Sequence, residues 1–201
     1  MPTAEIQAPA PGATALVIID MINELDFPEA AALKACAEPV VAAIEGLRAA
    51  ADALDVPVVY VNDNFGQWHS ERSRLVEHCL RPDCLGRDFA RKLKPRANDY
   101  FVIKPQVSGF YATNLPVLLP KLGVRRLILT GVAADICVLF TAADAHMRDY
   151  ELWIPDDAVA SARPEHADWA LALMRRNFGA ETKSTEALSL KAWVKAGDKR
   201  A

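Results

Sequence analysis

A thiol, a carboxylate and an amine each stand just past an apolar run with the composition of a buried strand. Cys137 follows the run at 127–130 across a turn on Gly131, within LILTGVAADICVLFTAADAH (127–146). Asp20 closes ATALVIID (13–20), and Lys104 closes YFVIK (100–104). Together these groups could attack an sp² carbon. Cys137 is the nucleophile; the unpaired N–H groups of a helix N-terminus carry partial positive charge that favours thiolate. Asp20 would accept the thiol proton and return it to a leaving amine. Lys104 would hold the sulfur, orient the carboxylate and offset developing negative charge. The backbone N–H groups of Ala133 and Cys137 are candidates for an oxyanion hole, since the small residues of GVAAD permit close approach. Taken singly, each residue has a plain structural reading as turn former, solvated amine or small buried apolar group. Their joint position after three strands is what points to a site.

Those strands must bring the three residues together. Strand patterns fall at 13–20, 56–61, 100–103, 126–130, 152–154 and 180–183, and helical spacing at 29–54, 135–147, 165–177 and 185–194. Strands apolar on both faces and separated by helices predict a three-layer α/β/α, Rossmann-like domain with a central parallel sheet, one domain over 1–201. In such sheets ligands bind beyond the carboxyl ends of the strands. Residues 1–12 read as a loose lead-in. The charged stretch 62–98 interrupts the alternation and predicts a lid or pocket wall. Loop residues Phe27, Asn64, Phe65, Trp68, Phe110 and Tyr111 flank the strand ends and are the candidate pocket lining.

Composition narrows the class. The chain has 201 residues, 52% hydrophobic and 24% charged, with a net charge of −3. It lacks the basic patches of a nucleic-acid binder and any apolar run long enough for a membrane span. Its first residues lack the basic-then-apolar order of a secretory signal. The 4 cysteines show no CxxC spacing, which predicts free thiols and a cytoplasmic location. Cys36, Cys79 and Cys84 read as packing or surface thiols. Asp63, His69, His78, Cys79 and Cys84 fit no standard zinc spacing, so no metal is expected. His146, His166, Trp153 and Trp169 read as core, surface or subunit-contact residues. No GxGxxG or P-loop pattern occurs, and no cofactor is expected.

Three segments carry a family resemblance: VIIDMINELDF around Asp20, FVIKPQVSGFYATNL around Lys104, and the 127–146 segment around Cys137. The chain resembles the isochorismatase-like cysteine hydrolase superfamily, which includes nicotinamidases, N-carbamoylsarcosine amidases and ureidoacrylate amidases. The resemblance implies that Asp20, Lys104 and Cys137 are the catalytic acid, lysine and nucleophile, with Ser108, Phe110, Thr113 and Leu115 at accompanying positions. It also implies a cis peptide at Val132–Ala133, a strand order 3-2-1-4-5-6, and assembly into homo-oligomers, dimers or tetramers. Three departures restrict it. Isochorismatases proper generally lack the cysteine. Nicotinamidases carry a metal-binding Asp-x-His where this chain has Asp63-Asn64-Phe65. Ile22 stands where the family often has Gln. The expectation is a metal-independent cysteine hydrolase that cleaves a C–N bond of a small amide or ureido compound through a thioester. The rivals are a metal-assisted nicotinamidase-type amidase, a non-catalytic binding or scaffold protein of the same fold, and a thiol-based redox or isomerase role.

Overall fold

The structure is a computed structural model that describes residues 10–66 and 71–199. Most of the lead-in at 1–12, and Trp68 and His69, lie outside the described residues.

The first apolar run becomes β1 (Thr14–Ile19), every residue of which is buried. Its period-two pattern divides the core. Leu16 and Ile18 pack with Leu33, Val40 and Ile44 of the long helix α1 (Ala30–Ala53). Ala15, Val17 and Ile19 face the opposite layer, with Leu115, Leu119, Val138 and Ala142. Both faces of the strand are therefore covered, as a parallel sheet requires. Pro39 lies within α1 on its exposed side, where the hydrogen bond it cannot make is lost toward solvent.

β2 (Val58–Asp63), β3 (Tyr100–Lys104), β4 (Arg126–Val132) and β5 (Glu151–Trp153) complete the sheet path β3-β2-β1-β4-β5, all pairs parallel. This follows the order that the resemblance implies. The sixth strand is a finding. Residues 180–183 make a single bridge, Glu181 to Trp153, beside β5. The Glu181 carboxylate curls back to accept from the N–H groups of Thr182 and Lys183, at 3.0 and 3.1 Å. The ladder strand β6 is Val159–Ala160, paired with the carboxyl end of β4.

The stretch 62–98 is less open than its charge predicts. It contains α2 (Arg72–Cys79) and α3 (Arg87–Lys92), which bury Leu75, Val76, Cys79, Phe89 and Ala90. Tyr60 donates its hydroxyl to the Leu93 carbonyl at 2.9 Å, and the Arg48 guanidinium reaches the carbonyls of Lys92 and Lys94. The segment is thus tied to α1 and β2 as part of the layer. Further along come α4 (Leu115–Lys121), α5 (Leu139–His146), α6 (Pro164–Phe178) and α7 (Leu190–Asp198). The last of these starts later than the apolar spacing predicts, because Ser189 caps it by accepting from the Ala192 N–H at 3.2 Å. Among the described residues, no helix is long and apolar enough to cross a membrane.

Gly131 fixes how closely β4 approaches β1. Its φ is +105°, and a Cβ there would lie 2.0 Å from the Ile19 carbonyl oxygen. Gly131→Ala should therefore cost about 3 kcal/mol, through strained backbone and a clash that no flexible side chain can relieve. The check is a lowered urea midpoint with an unchanged m-value.

Candidate active site

Sheet register assembles the site. Asp63 lies directly opposite Lys104 across the β2–β3 pair, and Ile19 opposite both Val61 and Gly131. Asp20 follows at once and donates its backbone N–H to the Val61 carbonyl at 2.9 Å. Its φ of +52° lies in the left-handed region, which Asp tolerates better than most residues. The chain leaves the strand at that point. Next door, Asn62 clamps the Ile22 backbone, accepting from its N–H at 3.3 Å and donating to its carbonyl.

The three predicted residues meet. Lys104 Nζ lies 2.9 Å from Asp20 Oδ2 and 3.5 Å from Cys137 Sγ. It also lies 3.4 Å from Asp63 Oδ2. The Asp20 carboxylate acts electrostatically on the Cys137 thiol, and its Oδ1 accepts the Asp63 N–H at 2.7 Å. The Lys104 side chain is fully buried and that of Asp20 nearly so. Cys137 sits on the wide turn Ala134–Val138 that leads into α5, where the Val138 N–H reaches back to the Ala133 carbonyl at 3.1 Å. The Val132–Ala133 peptide bond is cis.

Burial decides the protonation states. It pushes the Cys137 thiol up to about 12, reinforced by the Asp20 charge, and Lys104 offsets only part of this. Desolvation and an adjacent carboxylate thus act against the preference for thiolate expected at the helix end. Burial likewise raises Asp20 above the ordinary aspartate value, against the lowering effects of Lys104 and Cys137. For Lys104, burial alone would lower the ammonium, but Asp20, Cys137 and Asp63 together hold it above its ordinary value. Asp20 and Cys137 titrate as a coupled pair. Such an arrangement can move a proton from sulfur to carboxylate as a new bond to sulfur forms, with an ammonium beside both.

These groups open onto a cavity of about 340 Å³ whose lining includes Asp20, Asp63, Val132, Ala133 and Cys137. Phe27 and Phe65 line it as well. The other described pocket candidates do not. Asn64 is buried and spends its Oδ1 accepting from the Gly66 N–H at 2.9 Å. Phe110 is buried in the opposite core layer, tilted against Tyr150 with its ring centroid 6.0 Å away, and the Arg148 guanidinium lies over it. Ser108 draws this loop onto α5 by donating to Asp144, and Gly109 N–H donates to Thr141 Oγ1 at 3.0 Å. Tyr111, 60% exposed, stands in solvent away from the cavity. Trp68 lies outside the described residues.

Two groups of residues were not anticipated. Asp63 is a second carboxylate on Lys104. The strand-end rule that finds Asp20 and Lys104 finds it too, once β2 is extended by two residues. On the cavity wall, Asp135 accepts from Ser161 Oγ at 2.5 Å and lies 3.2 Å from His166 Nδ1. That cluster joins the wide turn, β6 and α6, and no local sequence signal announces it. Among the described residues, no group of three or more His, Cys, Asp or Glu side chains is arranged to hold a metal ion.

Comparison with known proteins bears on the family and the fold. The Isochorismatase domain family matches residues 14–187. The chain is 40% identical over 172 residues to the uncharacterized isochorismatase family protein YaaI of Bacillus subtilis (strain 168), covering 86% of this chain and 94% of that one. It is 31% identical over 187 residues to ureidoacrylate amidohydrolase RutB of Serratia proteamaculans (strain 568), covering 80% and 75%. Among solved structures, N-carbamoylsarcosine amidase from Thermoplasma acidophilum superposes with a TM-score of 0.65 at 31% identity, covering 88% of this chain and 98% of that one. An isochorismatase-like hydrolase from Alkaliphilus metalliredigens gives a TM-score of 0.72 at 24% identity, over 91% and 92% of the two chains, a likeness of fold.

Proposed function

The chain belongs to the isochorismatase family of hydrolases, and within it we propose a metal-independent cysteine hydrolase that cleaves a C–N bond of a small amide or ureido compound. The observation that carries this reading is the position of Lys104 Nζ, 2.9 Å from the Asp20 carboxylate and 3.5 Å from the Cys137 sulfur. In the first half-reaction, Cys137 Sγ bonds to the substrate carbonyl carbon as its proton passes to Asp20. The carbonyl electron pair moves onto oxygen, against the backbone N–H groups of Ala133 and Cys137. The intermediate collapses, the C–N bond breaks, and the leaving nitrogen takes the proton from Asp20, giving a thioester and free ammonia or amine. In the second, water attacks the thioester while Asp20 accepts one of its protons. The C–S bond breaks, the thiol regains that proton, and the acid product departs.

Relatives named as ureidoacrylate amidohydrolase and N-carbamoylsarcosine amidase support C–N cleavage. Metal independence is supported by the engagement of Asp63: Oδ2 faces Lys104 and Oδ1 accepts the Phe65 N–H at 2.7 Å. A homo-oligomer is supported by the exposed apolar side chains Ile136, Phe140 and Trp169, on the adjoining turn, α5 and α6. The test is an ammonia-release screen over small amides and ureides in the presence of EDTA, with Cys137→Ala as control. Release by the wild type alone is the expected result. Release by both proteins removes Cys137 from the chemistry, and loss in EDTA returns the metal-assisted reading.

The pH profile follows from the shifted groups. Asp20 must be ionised to take the thiol proton, and its pKa is raised. The acid limb of kcat/KM should therefore lie above the ordinary aspartate range and shift to lower pH if burial is relieved. With the thiol held near 12, no limb should appear where a free cysteine ionises, and ultraviolet thiolate absorbance from Cys137 should stay flat through that range.

A further inference from the structure

The cavity in front of Cys137 is acidic well beyond what the chemistry uses. Besides Asp20 and Asp63 it is lined by Glu24, Asp26, Glu29 and Asp135, whereas none of its described lining residues is lysine or arginine. The cations nearby are already engaged. Lys104 is fully buried between Asp20 and Asp63. Arg163 points its guanidinium at Glu29, 3.6 Å away, and both are exposed. His166 is held by Asp135 and His78 by Glu24. Asp26 is exposed and makes no ion pair among the described residues. The segment 67–70, outside the described residues, is Gln-Trp-His-Ser and adds no lysine or arginine to the chain near Phe65.

A carboxylate entering such a cleft would find no guanidinium or ammonium among the described lining residues and several like charges to oppose it. A concave, partly apolar wall concentrates that field rather than letting solvent dissipate it. The aromatic rings of Phe27 and Phe65 on the same lining are compatible with a neutral group, and attractive to a cationic one.

We propose that the substrate bears no negative charge: the cavity admits a small neutral or cationic amide or ureide and turns away one that carries a carboxylate. This rests on the cysteine hydrolase reading for the identity of the scissile group, but the charge rule itself depends only on the cavity. It separates this chain from the relatives named for ureidoacrylate, an anion, despite the 31% identity to one of them.

A test that needs no turnover uses Cys137 as a probe. The protein is treated with two methanethiosulfonates of similar size, one ending in trimethylammonium and the other in sulfonate. Modification of Cys137 is followed by peptide mass spectrometry, and the rate ratio is normalised to the same ratio on free N-acetylcysteinamide. The cationic reagent should be favoured about 10-fold or more at low salt, and the preference should shrink as ionic strength rises. The double variant Asp26→Asn, Glu29→Gln, both exposed, should reduce it several-fold. A normalised ratio near one, or one favouring sulfonate, overturns the proposal while leaving the hydrolase reading untouched. Conversely, Cys137→Ala protein that still releases ammonia removes the hydrolase reading without altering this ratio. A matched amide series with ammonium, methyl or carboxylate at its distal end completes the test. Turnover of the carboxylate as fast as the methyl compound would also refute the charge rule.

Discussion

Cys137→Ala protein should fold, bind the substrate and fail to turn it over, with kcat falling by about 10⁴-fold or more. The expected loss is this large because the first covalent bond of the reaction forms at the sulfur. Asp20 has no thiol proton to accept, and Lys104 has no developing charge at sulfur to offset. Binding should survive, since the cavity walls come from residues that the change does not touch, Phe27, Phe65 and Ile136 among them. Stability should change by less than about 1 kcal/mol, because Cys137 is only partly buried and loses a single sulfur atom. The measurements are steady-state ammonia release, substrate affinity by calorimetry, and a urea melt. An inactive protein that had also lost several kcal/mol would assign the cysteine to packing instead.

Lys104→Met should be the most damaging change at the site for stability, and should cost much of the activity as well. The substitution keeps an apolar stem but leaves Asp20 and Asp63 facing each other without the ammonium that now lies 2.9 and 3.4 Å from them. Removing one partner of a buried ion pair costs about 3–5 kcal/mol, since the other charge stays desolvated. That cost has a definite pH dependence. Without Lys104 the largest opposition to the burial that already raises Asp20 is gone, so its folded pKa climbs further above its unfolded value. A raised folded pKa means that the native state binds the extra proton more tightly. The variant should therefore be most stable below the unfolded value and lose stability as pH rises through the folded one. Activity should fall by about 10³-fold with the loss of this fixed charge. Urea midpoints measured from acid to neutral pH, wild type against variant, check the sign.

Local patterns made part of this legible. An apolar run followed at once by a polar residue marks both a parallel strand and its carboxyl end, and that is why Asp20, Lys104 and Cys137 stand out in the bare chain. What they do to one another is not local. The pairing of Asp63 with Lys104 depends on the register of β2 against β3, which no short segment specifies. The thiol shows the same limit. The field of a helix end is readable from 131–137, but the burial and the Asp20 charge that act against it come from elsewhere in the chain. Phe110 failed as a pocket residue for a related reason. A loop aromatic beside a strand end has two layers of the sheet open to it, and Ser108 and Gly109 bind this loop to α5 on the far side from the cavity. The packed segment 72–92 was hidden because its helices are charged on most faces and bury only a few side chains each.

The parallel pairing of β3, β2, β1 and β4 also bears on how the protein acquires its reactivity. Asp20, Asp63, Lys104 and Cys137 belong to four separate strand ends, and no neighbouring pair can be joined by a hairpin. Every contact at the centre spans a whole crossover, a topology that folds slowly because chain closure must precede any reward. A partly folded chain that holds most of its helices still lacks a reactive centre. Recovered turnover after dilution from urea is therefore a clock for the last strand to dock, not for collapse.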